Sequence, residues 1–159
     1  APAGRRQPRA PWSTRSNRVV RAAVGLDPVS GRLLHRLRSS FTALEMGRFY
    51  RFLLERCQTV NRIYLVMDNW PVHEHPTAWR YLAADPRVQV LWLPTYAPWL
   101  NPAEKVWMWV RQTLTHMHPF AEDLSVLRDH LDHLLTGANE DSAAMLRYTG
   151  TGNDKLYSS

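Results

Sequence analysis

Two carboxylates stand where regular elements of the chain meet loops, and an acid in such a position can bind a cation. Asp68 directly follows the almost wholly apolar run 62–67, and Glu104 falls in the first turn of a predicted helix. Ligands of open α/β sheets gather at the carboxyl ends of strands, which favours a cation-binding role for Asp68. Structural roles are the alternative, because an Asp-Asn pair also opens turns and a first-turn Glu also caps a helix. Position alone leaves both roles open for both residues.

The histidines offer a second candidate chemistry close to Asp68. His73 follows Asp68 by five residues, where an imidazole could position a phosphate or a water, or could simply occupy a surface loop. The pairs His73/His75 and His116/His118 could suggest zinc, but no further residues complete a ligand set. The sequence therefore gives little support to a zinc site.

The composition indicates one globular domain with a polyanionic partner. The chain has 159 residues, 45% of them apolar, and a formal net charge of +6. Of the 20 Lys and Arg residues 18 are Arg, which favours bidentate contacts to phosphate. Cys57 is the single cysteine, which excludes an intramolecular disulfide. No apolar run approaches membrane-spanning length and no signal peptide is visible, so we expect a cytoplasmic, nucleoid-associated protein.

The arginines of the N-terminal segment are candidate DNA contacts. Residues 1–17 contain no acid and three prolines, so we expect an irregular basic arm. Such an arm can bind phosphates or can be a solvated tail, and composition does not separate the two. The candidate DNA-binding residues are Arg5, Arg6, Arg9, Arg15 and Arg18, together with Lys105 and Arg111 further along the chain.

The first half of the chain predicts a hairpin followed by a helix. Residues 18–26 and 32–38 have strand composition, and they flank turn residues among which Asp27 is expected to be structural. Thr42 and Glu45 fit a capping box that begins a helix. The apolar residues expected to be buried on that helix are Met46, Phe49, Leu53 and Cys57.

The second half of the chain predicts short strands alternating with helices. The predicted elements are a strand at residues 62–67, a helix at 76–84, a strand at 88–93, a helix from 102 and a helix at 122–135. The almost wholly apolar run 62–67 is typical of a strand buried on both faces. Asn101 is the expected cap of the helix that carries Glu104. From Ala138 onward the chain is polar and is expected to be frayed. The order of elements favours a mixed α/β sheet with flanking helices.

Two motifs in this chain resemble those of DDE transposases. The first is LVMDNWPVH at residues 65–73, where an apolar strand ends at Asp68-Asn69 and a histidine follows. The second is LPTYAPWLNPAEKVW at residues 93–107. It is similar to the pattern Leu-Pro-x-Tyr-x-Pro-x-Leu-Asn-Pro-x-Glu-x-x-Trp of the mariner superfamily, in its bacterial insertion-sequence branch. The resemblance covers about residues 12–135.

The resemblance implies an RNase H-like fold that acts on DNA phosphodiesters. It also implies two Mg²⁺ or Mn²⁺ ions held by three carboxylates, one ion activating a water or 3′-hydroxyl and the other stabilising the leaving oxygen. Carried over by motif, Asp68 is the second carboxylate and Glu104 the third, both catalytic metal ligands. Asn69, His73 and Asn101 would be supporting residues. The family further implies double-stranded DNA, as transposon ends and target, and a homodimer as partners.

The chain departs from the family pattern at the first carboxylate. In the family this Asp lies on the first, central strand of the sheet, upstream of the hairpin, and no residue here matches it. The N-terminal helix-turn-helix region of the family is not matched either. The resemblance therefore assigns residues 18–136 to a partial RNase H-like catalytic domain, between a basic arm at 1–17 and a polar tail at 137–159. Without the central strand we expect a gap, a rearranged pairing or an intermolecular contact beside the strand of Asp68.

Three functions remain open from the sequence. The first is DNA transposition by metal-dependent cleavage and strand transfer, which the missing Asp calls into question for this chain. The second is a non-catalytic DNA-binding remnant of a transposase, whose DNA binding would not depend on metal. The third is another RNase H-like nuclease, such as a resolvase, which would prefer branched DNA.

Overall fold

The computed structural model describes residues 19–95, 98–115 and 123–151, which form a mixed α/β structure of small sheets and helices. The strands are β1 (Arg21–Leu26), β2 (Leu33–Arg38), β3 (Ile63–Met67) and β4 (Val88–Trp92). The helices are α1 (Ala43–Leu54), α2 (Pro71–Glu74), α3 (Pro76–Ala83), α4 (Pro102–Thr115), α5 (Leu124–Gly137) and α6 (Ser142–Thr149), with a 3₁₀ turn at Pro98–Leu100. The predicted strands and helices are confirmed in type, whereas α2 and α6 are additional. None of the described helices is long and apolar enough to span a membrane.

The hairpin of β1 and β2 closes as its turn residues predict. The two strands pair antiparallel along their full length. The carboxylate of Asp27 accepts hydrogen bonds from the N–H of Val29 at 2.9 Å and the hydroxyl of Ser30 at 2.5 Å, which confirms its structural role. Gly31 has a φ of 75°, and a Cβ added there would lie 2.1 Å from the carbonyl oxygen of Ser142 on α6. Both the backbone of this turn and its packing therefore require glycine.

Helix α1 begins at its predicted cap but buries a different set of side chains. The N–H of Glu45 donates to the Thr42 hydroxyl at 3.3 Å. Of the predicted stripe, two residues are buried, Leu53 is half-buried, and Cys57 lies beyond the end of the helix. Tyr50, which that stripe leaves out, is fully within the core.

The mixed α/β class that the sequence predicts is confirmed, and the described strands form two separate two-stranded sheets. Among the described residues β1 pairs only with β2, and β3 pairs only with β4, in parallel. Helix α1 bridges the two sheets, because Ala23 of β1 and Met67 of β3 lie in one hydrophobic core. A cavity of about 730 Å³ is lined by β1, β3, α1 and the start of α4. Among the described residues no strand joins the two sheets, which agrees with the gap expected beside the strand of Asp68.

The C-terminal segment is folded, so the expected fraying from Ala138 is wrong as far as residue 151. Asp141 caps α6, and its carboxylate accepts a hydrogen bond from an N–H in the first turn. Met145 of α6 is buried in a second core with Leu33 of β2 and Leu135 of α5. The sequence is mostly polar here because a short helix on the surface of a core contributes only a narrow apolar stripe.

Candidate active site

Asp68 follows the last residue of β3 and lines the cavity between the two sheets. Its Oδ1 accepts a hydrogen bond from the N–H of Trp70 at 3.2 Å and lies 3.2 Å from Nε2 of His73. Its Oδ2 has no hydrogen-bond partner in the described parts of the chain, and the side chain is 57% exposed. The turn-forming and ligand-binding roles are therefore compatible, because one oxygen orders the turn and the other stays available.

Glu104 lies in the first turn of α4 and lines the same cavity. Oδ1 of Asn101 accepts from the N–H of Ala103 at 3.0 Å, which confirms Asn101 as the cap of this helix. The N–H of Glu104 donates to the main-chain carbonyl of Asn101 at 3.0 Å. Within the described residues its carboxylate makes no hydrogen bond or ion pair, so the reciprocal contact of a capping box is not formed. The positive end of the helix dipole favours the negative charge at this position.

Asn69 ties together the ends of the two strands beside Asp68. Its Nδ2 donates to the carbonyl oxygen of Leu93 at 3.0 Å and to the hydroxyl of Thr95 at 3.3 Å. Both acceptors follow β4, so the amide joins the carboxyl end of β3 to that of β4. This contact supports the backbone that carries Asp68.

His73 links Asp68 to the hydrophobic core and is not a surface histidine. The short helix α2 carries it, and its side chain is only 14% exposed. Its ring meets that of Trp70 edge-on, with centroids 5.4 Å apart, and its Nδ1 lies 2.5 Å from the hydroxyl of Tyr50. Burial lowers the pKa of His73, and the negative charge of Asp68 opposes this shift. Burial thus favours the neutral form of this imidazole.

Tyr50 is the site residue that the sequence analysis missed. Burial, and secondarily the charge of Asp68, raises the pKa of its hydroxyl. A signal was available, because Tyr50 follows Met46 by four residues and therefore lies on the buried face of α1. The contact with His73 had no signal, because it joins separate elements.

The candidate DNA-binding residues are only partly described. The arginines outside the described residues are Arg5, Arg6, Arg9, Arg15 and Arg18. Nζ of Lys105 donates to the carbonyl oxygen of Thr149 at 2.7 Å and so joins α4 to α6. Nε of Arg111 donates to the carbonyl oxygen of Trp107 at 3.3 Å, and the residue is exposed on α4. Trp99, in the 3₁₀ turn before α4, is largely exposed.

Asp68 and Glu104 line one cavity, and each has at least one carboxylate oxygen without a hydrogen-bond partner among the described residues. Mg²⁺ and Mn²⁺ prefer carboxylate oxygens as ligands, so the chemistry of these two side chains suits a hard divalent cation. In the part of the chain that the structure describes, no group of three or more His, Cys, Asp or Glu residues could hold a metal ion. A site for two ions would therefore need a further ligand in addition to these two acids.

Comparisons with known proteins agree with the two motifs. A family model described as DDE superfamily endonuclease matches residues 1–128. A Shigella sonnei protein described as "Insertion element IS630 uncharacterized 39 kDa protein" is 31% identical over 70 residues, which is 42% of this chain and 20% of that protein. The match thus spans about a fifth of the relative's length. No solved structure matches.

The family model covers well over half of the chain and includes both motifs. The relative from an insertion element agrees with the predicted branch. The resemblance drawn from LVMDNWPVH and LPTYAPWLNPAEKVW is therefore confirmed, and the chain belongs to the DDE superfamily of endonucleases.

Proposed function

We propose that this chain is part of the RNase H-like catalytic domain of a DNA transposase, and that it takes part in metal-dependent cleavage and joining of DNA. The observation that carries the proposal is that Asp68 and Glu104 line the same cavity. They come from different elements, line one cavity, and have carboxylate oxygens without partners among the described residues. Membership of the endonuclease superfamily supports the reaction class. The insertion-element relative supports transposition as the process.

Each site residue has a role in this proposal. Asp68 and Glu104 would hold the cation, and a bound Mg²⁺ or Mn²⁺ supplies activation of a water or 3′-hydroxyl and stabilisation of the leaving oxygen. Asn69 keeps the ends of β3 and β4 together, and Asn101 sets the start of the helix that carries Glu104. His73 holds one oxygen of Asp68.

The DNA would approach along the basic residues around this site. The exposed α4 residue Arg111 and the exposed ring of Trp99 lie on the segment that carries Glu104. An exposed aromatic ring can stack on an unpaired base, and arginine can contact phosphate. Lys105 would also contribute positive charge, although its ammonium already binds the end of α6. The arginines at positions 5, 6, 9, 15 and 18 would extend this basic surface.

The resemblance assigns the first carboxylate, which no residue of this chain matches, to a strand between the two sheets. The cavity there is bounded by the open edges of β1 and β3, by Phe49 and Leu53 of α1, and by Trp107 of α4. A strand in this position would have helices on both faces and would be apolar throughout. Full two-metal cleavage would then require this strand, whereas binding of one cation would not.

The proposal is tested by nicking of supercoiled plasmid with Mg²⁺, Mn²⁺ or chelator. Asp68→Asn and Glu104→Gln each remove a charge while keeping the side-chain shape, and in Asp68→Asn an oxygen still accepts from Trp70. Glu74→Gln is the matched control, because Glu74 is exposed on α2 and does not line the cavity. Metal-dependent nicking that is lost in the two cavity variants and kept in the control would support the proposal. Nicking that survives both substitutions would refute the assigned ligands.

A second candidate function is a DNA-binding remnant without catalysis. It is favoured by the donor set, since the described residues bring two acids and no third to the site. Gel-shift binding to plasmid fragments distinguishes it from the main proposal. DNA binding that is unaffected by chelator and by Asp68→Asn, together with absence of nicking, would favour the remnant.

A further inference from the structure

Tyr50, His73 and Asp68 form a continuous line from the hydrophobic core to the cavity. The hydroxyl of Tyr50 lies 2.5 Å from Nδ1 of His73, and Nε2 of the same ring lies 3.2 Å from Oδ1 of Asp68. Tyr50 is 2% exposed, while the side chains of His73 and Asp68 are 14% and 57% exposed. This series of contacts thus begins at the buried hydroxyl of Tyr50 and ends at the accessible carboxylate of Asp68.

For a neutral imidazole, the hydrogen-bond chemistry of this line favours one arrangement of protons. The phenol of Tyr50 has a single proton, and its acceptors are Nδ1 of His73 and, at 3.6 Å, the sulfur of Met67. Sulfur is a weak acceptor, so the proton goes to Nδ1. A neutral imidazole that accepts at Nδ1 carries its own proton on Nε2. That proton then points at Asp68, which can only accept.

The opposite tautomer is disfavoured at both ends of the line. A proton on Nδ1 would leave the phenol with only the sulfur of Met67 as its acceptor. It would also place the bare lone pair of Nε2 opposite Oδ1 of Asp68, at 3.2 Å, where two acceptors repel. The buried phenol therefore selects the tautomer that the carboxylate needs.

We propose that Tyr50 is a positioning residue: it holds His73 as the Nε2-protonated tautomer and thereby orients Asp68, with one oxygen held and the other free for a cation. The cation part of this inference rests on the function proposed above, whereas the tautomer part does not. A partner of a metal-ligating group typically changes metal affinity by about 10–100-fold when it is removed. Tyr50 acts one step further away through His73, so Tyr50→Phe should weaken Mn²⁺ binding by about 3–10-fold.

The first test measures the tautomer of His73 in the full chain without metal or DNA. Ring nitrogen shifts from long-range ¹H–¹⁵N NMR distinguish the tautomers, and His73→Gln assigns the signal among the seven histidines. We expect an Nε2-protonated ring in the wild type and a mixture of tautomers in Tyr50→Phe. Tyr81→Phe is the control, because its hydroxyl contacts Arg80 and it does not line the cavity. An unchanged His73 signal in Tyr50→Phe would overturn the proposal.

The second test measures Mn²⁺ affinity by electron paramagnetic resonance for the same proteins. Weaker binding in Tyr50→Phe with unchanged binding in Tyr81→Phe supports the positioning role, and equal affinities refute it. The ring of Tyr50 is kept in the phenylalanine variant, so packing alone would move neither readout. If the wild type binds no Mn²⁺, the proposed metal site fails, and the tautomer measurement still decides the role of Tyr50.

Discussion

Asn139 tests whether the segment after α5 belongs to the folded domain. Its side-chain amide pairs with both main-chain groups of Leu33 on β2, accepting from the N–H at 2.7 Å and donating to the carbonyl at 3.1 Å. The amide thus makes to Leu33 the pair of hydrogen bonds that the main chain of a neighbouring strand would make. The family model ends at residue 128, so Asn139 lies beyond the matched region whereas Leu33 lies within it.

The expected cost of Asn139→Ala follows from the two groups that it would leave unpaired. Leu33 is among the most completely buried residues of the second core. A buried donor or acceptor that loses its partner costs about 1–3 kcal/mol. Because the site is only partly buried, we expect the lower half of that range for each group, a total of about 2–4 kcal/mol in the free energy of unfolding. With an m-value of about 2 kcal/mol per molar, the urea midpoint should fall by roughly 1–2 M.

Urea unfolding followed by circular dichroism measures this shift. Asn139→Asp keeps the acceptor for the N–H of Leu33 but puts an oxygen where Nδ2 donates to the carbonyl, so it should also destabilise. Glu140→Ala is the matched control, because Glu140 is exposed and its side chain makes no hydrogen bond or ion pair among the described residues. Its effect should stay within about 0.5 kcal/mol. If Asn139→Ala proves as mild as the control, the docking of this segment on β2 is refuted.

Three further predictions concern the turn, an ion pair and the cavity. Gly31→Ala should lower the melting temperature, because the added Cβ would lie 2.1 Å from the carbonyl oxygen of Ser142. Gly137→Ala should not lower it, because a Cβ there would have no atom within 4 Å. Equal melting temperatures of the two variants would contradict the predicted clash. Hydrogen bonds from Arg87 hold the pKa of Asp85 below its ordinary value. The ionised Asp85 therefore stabilises the folded state at pH values above the pKa of an unfolded aspartate, and this stabilisation is lost as the pH falls through the lower pKa of the folded state. Urea midpoints measured from neutral pH down to about pH 2 should therefore fall less steeply in Asp85→Asn, and parallel curves would exclude the ion pair as the cause. A capped peptide of five β-branched residues that binds as a strand in the cavity should slow amide hydrogen exchange in both β1 and β3, measured by mass spectrometry. The same peptide N-methylated at alternate residues should not slow exchange. Exchange that neither peptide changes would argue against binding of a strand in the cavity.

Local features of this fold were predictable because their interactions join residues close in sequence. The cap of α1 at Thr42, the turn at Asp27 and the cap of α4 at Asn101 each use a hydrogen bond spanning two or three residues. Asp68 and Glu104 were found by motif resemblance, and both line one cavity. Their individual roles at that cavity remain predictions.

The features that escaped prediction depend on contacts between distant parts of the chain. Asn139 and Leu33 are 106 residues apart, and Tyr50 and His73 are 23 apart. A polar residue in a polar segment, or a tyrosine on an apolar helix face, has no pattern that names such a partner. Only the packing of α1 against α2, and of the segment between α5 and α6 against β2, brings these groups together.

Within the described residues, sequence and structure disagree at strand β3. Its apolar run predicts burial on both faces, yet Tyr64 and Val66 are 54% and 48% exposed. Both side chains line the cavity between the sheets. Uncovered apolar surface of this size on a strand with an open edge is unfavourable in water and invites pairing. The composition of β3 therefore matches a folded state with one more strand in contact with it, and the cavity is where that contact would form.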